Sequence, residues 1–301
     1  MRTPKPGTQF APSTISMSQD AESFYAKAAR LNVTWLDHME CQSTGIVHGR
    51  ISSGTAYSSV TDSYLSGNWS GYQISNSSRY VQSGWVVPTV TVPSPGYSSI
   101  GYYSSVWPGI GGGYGSGSAP LIQSGSTQDI SASGVTSYYF WYEIVGGPTD
   151  TGSEVKITSP AAHHGDEVGA VTLWIPLDSG TGHTNVARMG VCNFTSSTCV
   201  HFDVPGTPAP GNSTEWIAEA PSSSSGVLPL ANFHVVGFRN SCWTTALYTG
   251  GTVTCYPLTS GSSLSAIDLE QNVLSGLQIL ASPGAISTNG EDFDVTYYQP
   301  H

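Results

Sequence analysis

Positive charge is scarce in this sequence. Lysine and arginine together number 9 in 301 residues, against 20 aspartates and glutamates, for a formal net charge of −11. Such a chain has little to offer phosphate groups, which argues against nucleic acid or an anionic membrane as a partner. Long apolar runs are also missing, and no stretch approaches the roughly 20 residues that a membrane-crossing helix needs. The first residues lack the basic start and apolar run of a secretory leader. Export is nevertheless expected from the cysteine usage below, with the leader already removed. C-x-x-C and H-x-x-x-H spacings are absent, and the adjacent His163 and His164 would point to opposite faces of a strand. No metal or other cofactor is therefore expected. The G-x-S-x-G elbow of the α/β-hydrolases is absent too.

Glycine is abundant, at 35 residues, and tyrosine, at 16, outnumbers every other aromatic type. With the many serines, threonines and valines, this is the profile of short strands and frequent turns. Segments rich in β-branched and aromatic residues predict strands at 80–88, 98–107, 138–144, 169–176, 214–219, 235–238 and 293–298. No long helical pattern separates them, so the sheets should be antiparallel. One amphipathic helix is predicted near the start, over about 18–30. Ser18 would cap it, and Ala21, Phe24, Ala28 and Leu31 would form its apolar stripe. A Ser/Gly/Thr-rich stretch follows at 43–67 and reads as a linker.

Charge divides at the same place. Five of the basic residues (Arg2, Lys5, Lys27, Arg30 and Arg50) precede position 63, where they balance five acidic ones, so the net charge resides in the rest of the chain. Residues 1–62 are therefore expected to form a separate segment and 63–301 the principal domain. Of the five cysteines, Cys192 and Cys199 bracket a short polar loop, and Cys242 and Cys255 flank a hairpin tip. Two local disulfides and an oxidising compartment follow, leaving Cys41 in the N-terminal segment. Asp150-Thr151-Gly152 and Asp178-Ser179-Gly180 have the look of the aspartate loops of pepsin-like enzymes. They lie too close together for two lobes and read as turns.

Eight segments occur in a telling order: N-W-S-G-Y from Asn68, W-V-V-P from Trp85, W-P-G-I-G-G from Trp107, P-L-I-Q-S-G from Pro120, Y-Y-F-W-Y-E from Tyr138, G-D-E-V from Gly165, T-E-W-I-A-E from Thr214 and L-P-L-A-N-F from Leu228. Over about residues 66–299 the chain resembles the glutamic peptidases, the eqolisin family. The resemblance implies an all-β fold, an antiparallel sandwich of two large curved sheets of the concanavalin-like or jelly-roll kind, preceded by a partly helical propeptide. It implies a secreted, pepstatin-insensitive acid endopeptidase made as a zymogen and acting on protein or peptide substrates. A monomer is expected, and the charge split and change of patterning lead us to expect residues 1–62 as its own propeptide, covering the cleft. Carried residue by residue, it assigns catalysis to Gln123 and Glu219 and substrate binding to Trp69, Trp107, Trp141 and Glu143. Two positions depart from the pattern: Gly111, where an acidic residue is common, and Tyr139-Phe140, where a small or acidic pair is common.

The chemistry suits those roles. A glutamate can take a proton from water and return it to the leaving amine, while a primary amide donates to the oxyanion without titrating. Period-2 geometry puts Glu215, Ile217 and Glu219 on one strand face. For the propeptide, Arg50 and Lys27 are expected to pair with cleft or rim carboxylates, and His38 and His48 to gain charge on acidification. A carbohydrate-binding, lectin-like sandwich is the competing reading, since the same architecture carries sugar sites. It would have no use for Gln123 and Glu219.

Overall fold

The computed structural model describes residues 5–6, 15–16, 23–36, 41–51, 63–94, 96, 98–178, 181–246, 253–261, 263–273 and 276–299. One helix, α1 (Phe24–Arg30), precedes the main strands. These are β1 (Cys41–Ser43), β2 (Trp69–Ile74), β3 (Tyr80–Val86), β4 (Tyr102–Ile110), β5 (Leu121–Ile130), β6 (Thr136–Val145), β7 (Val155–Ile157), β8 (Glu167–Leu177) and β9 (Thr184–Asn193). They continue with β10 (Thr198–Pro205), β11 (Thr214–Glu219), β12 (Val235–Thr244), β13 (Leu264–Val273), β14 (Gly276–Pro283) and β15 (Phe293–Tyr297).

The strands form an all-β sandwich. One layer runs β1-β7-β6-β5-β4-β11-β2-β13-β14-β15-β12, and the other runs β10-β9-β8-β3-β12. Strand β12 belongs to both. Val235–Phe238 pair with β15, a bulge follows Arg239, and Cys242–Thr244 pair with β3. Pairing is antiparallel throughout these strands. Two short segments add parallel pairings: Thr34–Trp35 beside β10, and Ser63–Ser66 beside β13.

Alternation sorts the side chains into three apolar groups. Val106, Ile110, Ile122, Phe140, Tyr142, Ile144, Trp216 and Ala218 face inward and make the core between the layers with Trp85, Val168, Met189 and Phe238. Bonds cross this core, from Trp85 Nε1 to Ser126 Oγ and from Trp216 Nε1 to the Gln82 carbonyl. The alternate residues Trp69, Trp107, Leu121, Tyr139, Trp141 and Ile217 form a second group on the outer face of the first layer. A third group lies outside the second layer, where Phe24, Tyr25 and Ala28 of α1 cover Tyr80, Val171, Leu173 and both disulfides, Cys192–Cys199 and Cys242–Cys255.

The helix starts later than its sequence pattern. Ser23 caps it, its Oγ accepting from the Ala26 amide, and Phe24 is already buried; Ser18 lies outside the described residues. Its Lys27 bonds Glu167 on the second layer, so the helix sits on the side of the sandwich opposite the outer face of the first layer. Asp150 is a turn residue, its carboxylate accepting from the amides of Gly146 and Gly152. Asp178 closes a turn with Thr181 and also takes part in a buried ion pair with Arg188.

Candidate active site

Strand register assembles the site. Gln123 of β5 faces Glu143 of β6, Gly125 faces Trp141, and Thr127 faces Tyr139. On the other side Gln123 opposes Gly109 of β4, and β4 in turn sets Gly109, Trp107 and Ser105 against Glu215, Ile217 and Glu219 of β11. Glu219 also opposes Trp69 of β2. Direct cross-strand neighbours share a face, so all of these side chains emerge on the outer face of the first layer.

An extended strap, residues 41–51, lies across that face. It begins as β1 against β7, and the Glu154 amide donates to the Ile46 carbonyl. Val47 exchanges two backbone bonds with Ser222, and the Ile51 amide donates to the Gly112 carbonyl. Arg50 donates to the carbonyls of Gly117 and Ala119 rather than to a carboxylate.

At the middle of the strap, His48 is completely buried and held on every side. Its amide donates to Glu143 Oε2 at 2.6 Å, and its carbonyl accepts from Gln123 Nε2 at 2.8 Å. Nδ1 lies 2.9 Å from Glu219 Oε2, and Nε2 lies 2.7 Å from Glu154 Oε2. The ring stacks on Trp141 at 3.6 Å between centroids and 8° between planes. Tyr139 donates to Glu154 Oε1 at 2.6 Å, which fixes that carboxylate.

Glu219 is itself inaccessible and well bonded. Trp107 Nε1 donates to Oε2 at 2.8 Å, and Trp69 Nε1 and Asn68 Nδ2 donate to Oε1 at 3.3 and 3.4 Å. Burial raises its pKa, while the charge of His48 and the bonds from His48, Trp107 and Trp69 pull it back. For His48 the balance falls the other way. Burial lowers it, but Glu219 and Glu154 outweigh that and hold it up at about 10. The imidazole is therefore already cationic at neutral pH, and gains no charge on acidification; His38 lies outside the described residues. Burial lifts Glu143 to about 8 and Glu215 well above the ordinary range. Glu215 accepts from the Gly113 amide, four residues along the strand from Glu219, and belongs to a separate part of the face.

The structure thus gathers Gln123, Glu219, Glu143 and Trp141 around one residue of the strap. Trp69 and Trp107 lie beneath, fully buried, and touch the site through their indole N–H groups. Four residues were not assigned to the site by sequence reasoning: His48, expected only to gain charge in acid, and Glu154, Tyr139 and Asn68. Asn68 was visible in N-W-S-G-Y, and Tyr139 as a departure from the family pattern. Its hydroxyl donates to Glu154. The other departure, Gly111, stands in a crowded place. It sits at φ +86°, and a Cβ there would stand 2.3 Å from the Pro120 carbonyl oxygen, so an acidic side chain has no room.

A β-sandwich that lays a peptide strand between a buried carboxyl and a primary amide is an architecture suited to a peptidase. Residues 67–279 match the model of the Peptidase A4 family, and the chain belongs to that family, the eqolisins, and is a peptidase. Its fold is similar to that of SCP-B, a member of the eqolisin family solved in complex with the tripeptide Ala-Ile-His. The TM-score is 0.52 and the identity 18%, over 77% of this chain and 98% of that one. The enzymatically active domain of bacteriophage CBA120 tailspike protein 2 aligns at a TM-score of 0.29 and 13% identity, over 68% of this chain and 27% of that one. No curated protein matches the sequence significantly.

Proposed function

We propose that this peptidase is a secreted glutamic endopeptidase acting in acid, with Glu219 as general base and then acid and Gln123 as oxyanion donor. The observation that carries the reading is the His48 peptide unit. Its carbonyl takes a hydrogen bond from Gln123, while Glu219 reaches the same residue. A substrate carbonyl held there gains an N–H donor as negative charge develops, and a water on Glu219 gains a base. Burial raises the Glu219 pKa, which strengthens its carboxylate as an acceptor of the water's proton. The Ala-Ile-His tripeptide bound by SCP-B fits a cleft for peptides rather than sugars.

Residues 1–62 act as a propeptide in this reading, with the strap as its inhibitory part. Two disulfides favour an oxidising, extracellular setting. No helix among the described residues is long and apolar enough to cross a membrane.

The test is digestion of a denatured protein across pH 2–7 by the wild type, Glu219→Gln and Gln123→Ala. The wild type should cut in acid. Loss of the oxyanion donor should cost about 10²–10³ in rate, and loss of the carboxyl should abolish turnover. Near-normal activity in either folded variant would remove the assignment.

A further inference from the structure

We propose that Trp141, Glu154 and Tyr139 form the specificity pocket for the side chain on the acyl side of the cleaved bond. The pocket takes a planar cationic side chain, and in this chain it is filled by His48, so that His48–Gly49 is the bond presented for self-cleavage. The inference rests on the Gln123/Glu219 reading and adds to it the substrate class and the processing site.

The position of the carbonyl sets the register. Of the strap carbonyls, that of His48 accepts from Gln123, and the His48 amide is clamped by Glu143. The residue whose carbonyl meets the oxyanion donor is the acyl-side residue, and the bond that follows it is the one to Gly49. In the cut, the water oxygen bonds to the His48 carbonyl carbon and gives a proton to Glu219. The C–N bond to Gly49 then breaks, and the proton leaves on the Gly49 amine. Gly49 carries no side chain to crowd the departing group.

The pocket has the chemistry of its occupant. Trp141 supplies a flat apolar wall parallel to the ring. Glu154 supplies a fully buried carboxylate to the far ring nitrogen, and Tyr139 and Thr127 orient it through their hydroxyls. A flat cation gains both stacking and a charge-assisted bond there. A leucine would leave Glu154 unpartnered by the substrate, and a phenylalanine would keep only the stacking. The near ring nitrogen occupies Glu219, the place a water needs. The strap therefore lies in register yet uncut until the imidazole turns off Glu219, while Nε2 stays on Glu154.

The experiment uses the full chain, brought to pH 4, and twelve-residue peptides with the sequence of residues 42–53 carrying His, Arg, Phe or Leu at position 48. The expected result is a new N-terminus at Gly49 in the acidified protein, absent from Glu219→Gln. In the peptides, His and Arg should be preferred over Phe and Leu by at least about tenfold in kcat/KM. Glu154→Gln should shrink that preference to within about threefold, and Tyr139→Phe should shrink it partway. Cleavage at another bond, or an undiminished preference in folded Glu154→Gln, would overturn the inference and leave the peptidase reading standing. So would digestion of denatured protein without cleavage of the peptides. Failure to digest denatured protein at any pH would overturn the underlying reading instead.

Discussion

Replacing His48 with alanine should free the strap without disturbing the sandwich. The imidazolium makes two charge-assisted hydrogen bonds to fully buried carboxylates. At about 1.5–3 kcal/mol each, these hold the strap by roughly 3–6 kcal/mol. The titration gives a second route to the same quantity. A histidine released to water returns from about 10 to its ordinary 6.5, a difference worth about 5 kcal/mol. Loss of that hold multiplies the open population by about 10²–10⁴. Hydrogen exchange read by mass spectrometry at neutral pH measures it directly, because the amides of Val47 and Ile51 are bonded only while the strap is down. Their exchange should accelerate by about 10²–10⁴ in His48→Ala, while the core strands β5 and β6 keep wild-type protection. The pH dependence carries a sign as well. A pKa raised on docking means that the histidine's contribution is complete below 6.5 and is lost as pH rises through about 10. Wild-type strap protection, corrected for intrinsic exchange, should fall across that window, and His48→Ala should show no such fall. Acceleration of less than about threefold would refute the idea that His48 is the principal tether.

Three further outcomes can be checked. Trp107→Phe removes the 2.8 Å donor to Glu219; its loss should raise the Glu219 pKa further and move the acid limb of the kcat/KM profile to higher pH. Acid activity should survive both pepstatin and EDTA, and strong inhibition by either would point to an aspartate or metal mechanism. On a drop from neutral pH to pH 4, intact mass should show the wild type shedding its N-terminal segment while Glu219→Gln stays full length; equal shortening of the two would assign the cut to another protease.

Much of this site was legible in the sequence, and the parts that were not have physical reasons. Strands such as 138–144 and 214–219 announced themselves through aromatic and β-branched residues. Strand β5, which carries Gln123, did not. Its sequence L-I-Q-S-G-S-T-Q-D-I is buried along its whole length, yet polar at most positions because those side chains bond within the cleft and across the layers. The stretch 43–67 looked like a linker because its Ser, Gly and Thr residues have no periodicity. Residues 41–51 gain their order from backbone bonds and from one imidazole, and neither leaves a pattern in a sequence. Arg50 and Lys27 were expected as the cations that pair with carboxylates. Lys27 instead pairs on the far layer and Arg50 with carbonyls. The cation that reaches the buried carboxylates is one whose charge exists there only because they surround it.

The alternation along β6 has a consequence for how such a protein can change. Tyr139, Trp141 and Glu143 belong to the cleft, while Phe140, Tyr142 and Ile144 belong to the core. Taste and sturdiness are thus written on alternate letters of one ten-residue word. Odd-numbered positions can be rewritten for a new substrate while the even-numbered ones go on holding the layers together. The same interleaving makes the strand intolerant of length change. A single inserted residue would exchange the two sets, putting Glu143 among the side chains of the interior and Phe140 on the face that the strap covers. Substitution is therefore an open route to new specificity here, and insertion within the strand is a closed one.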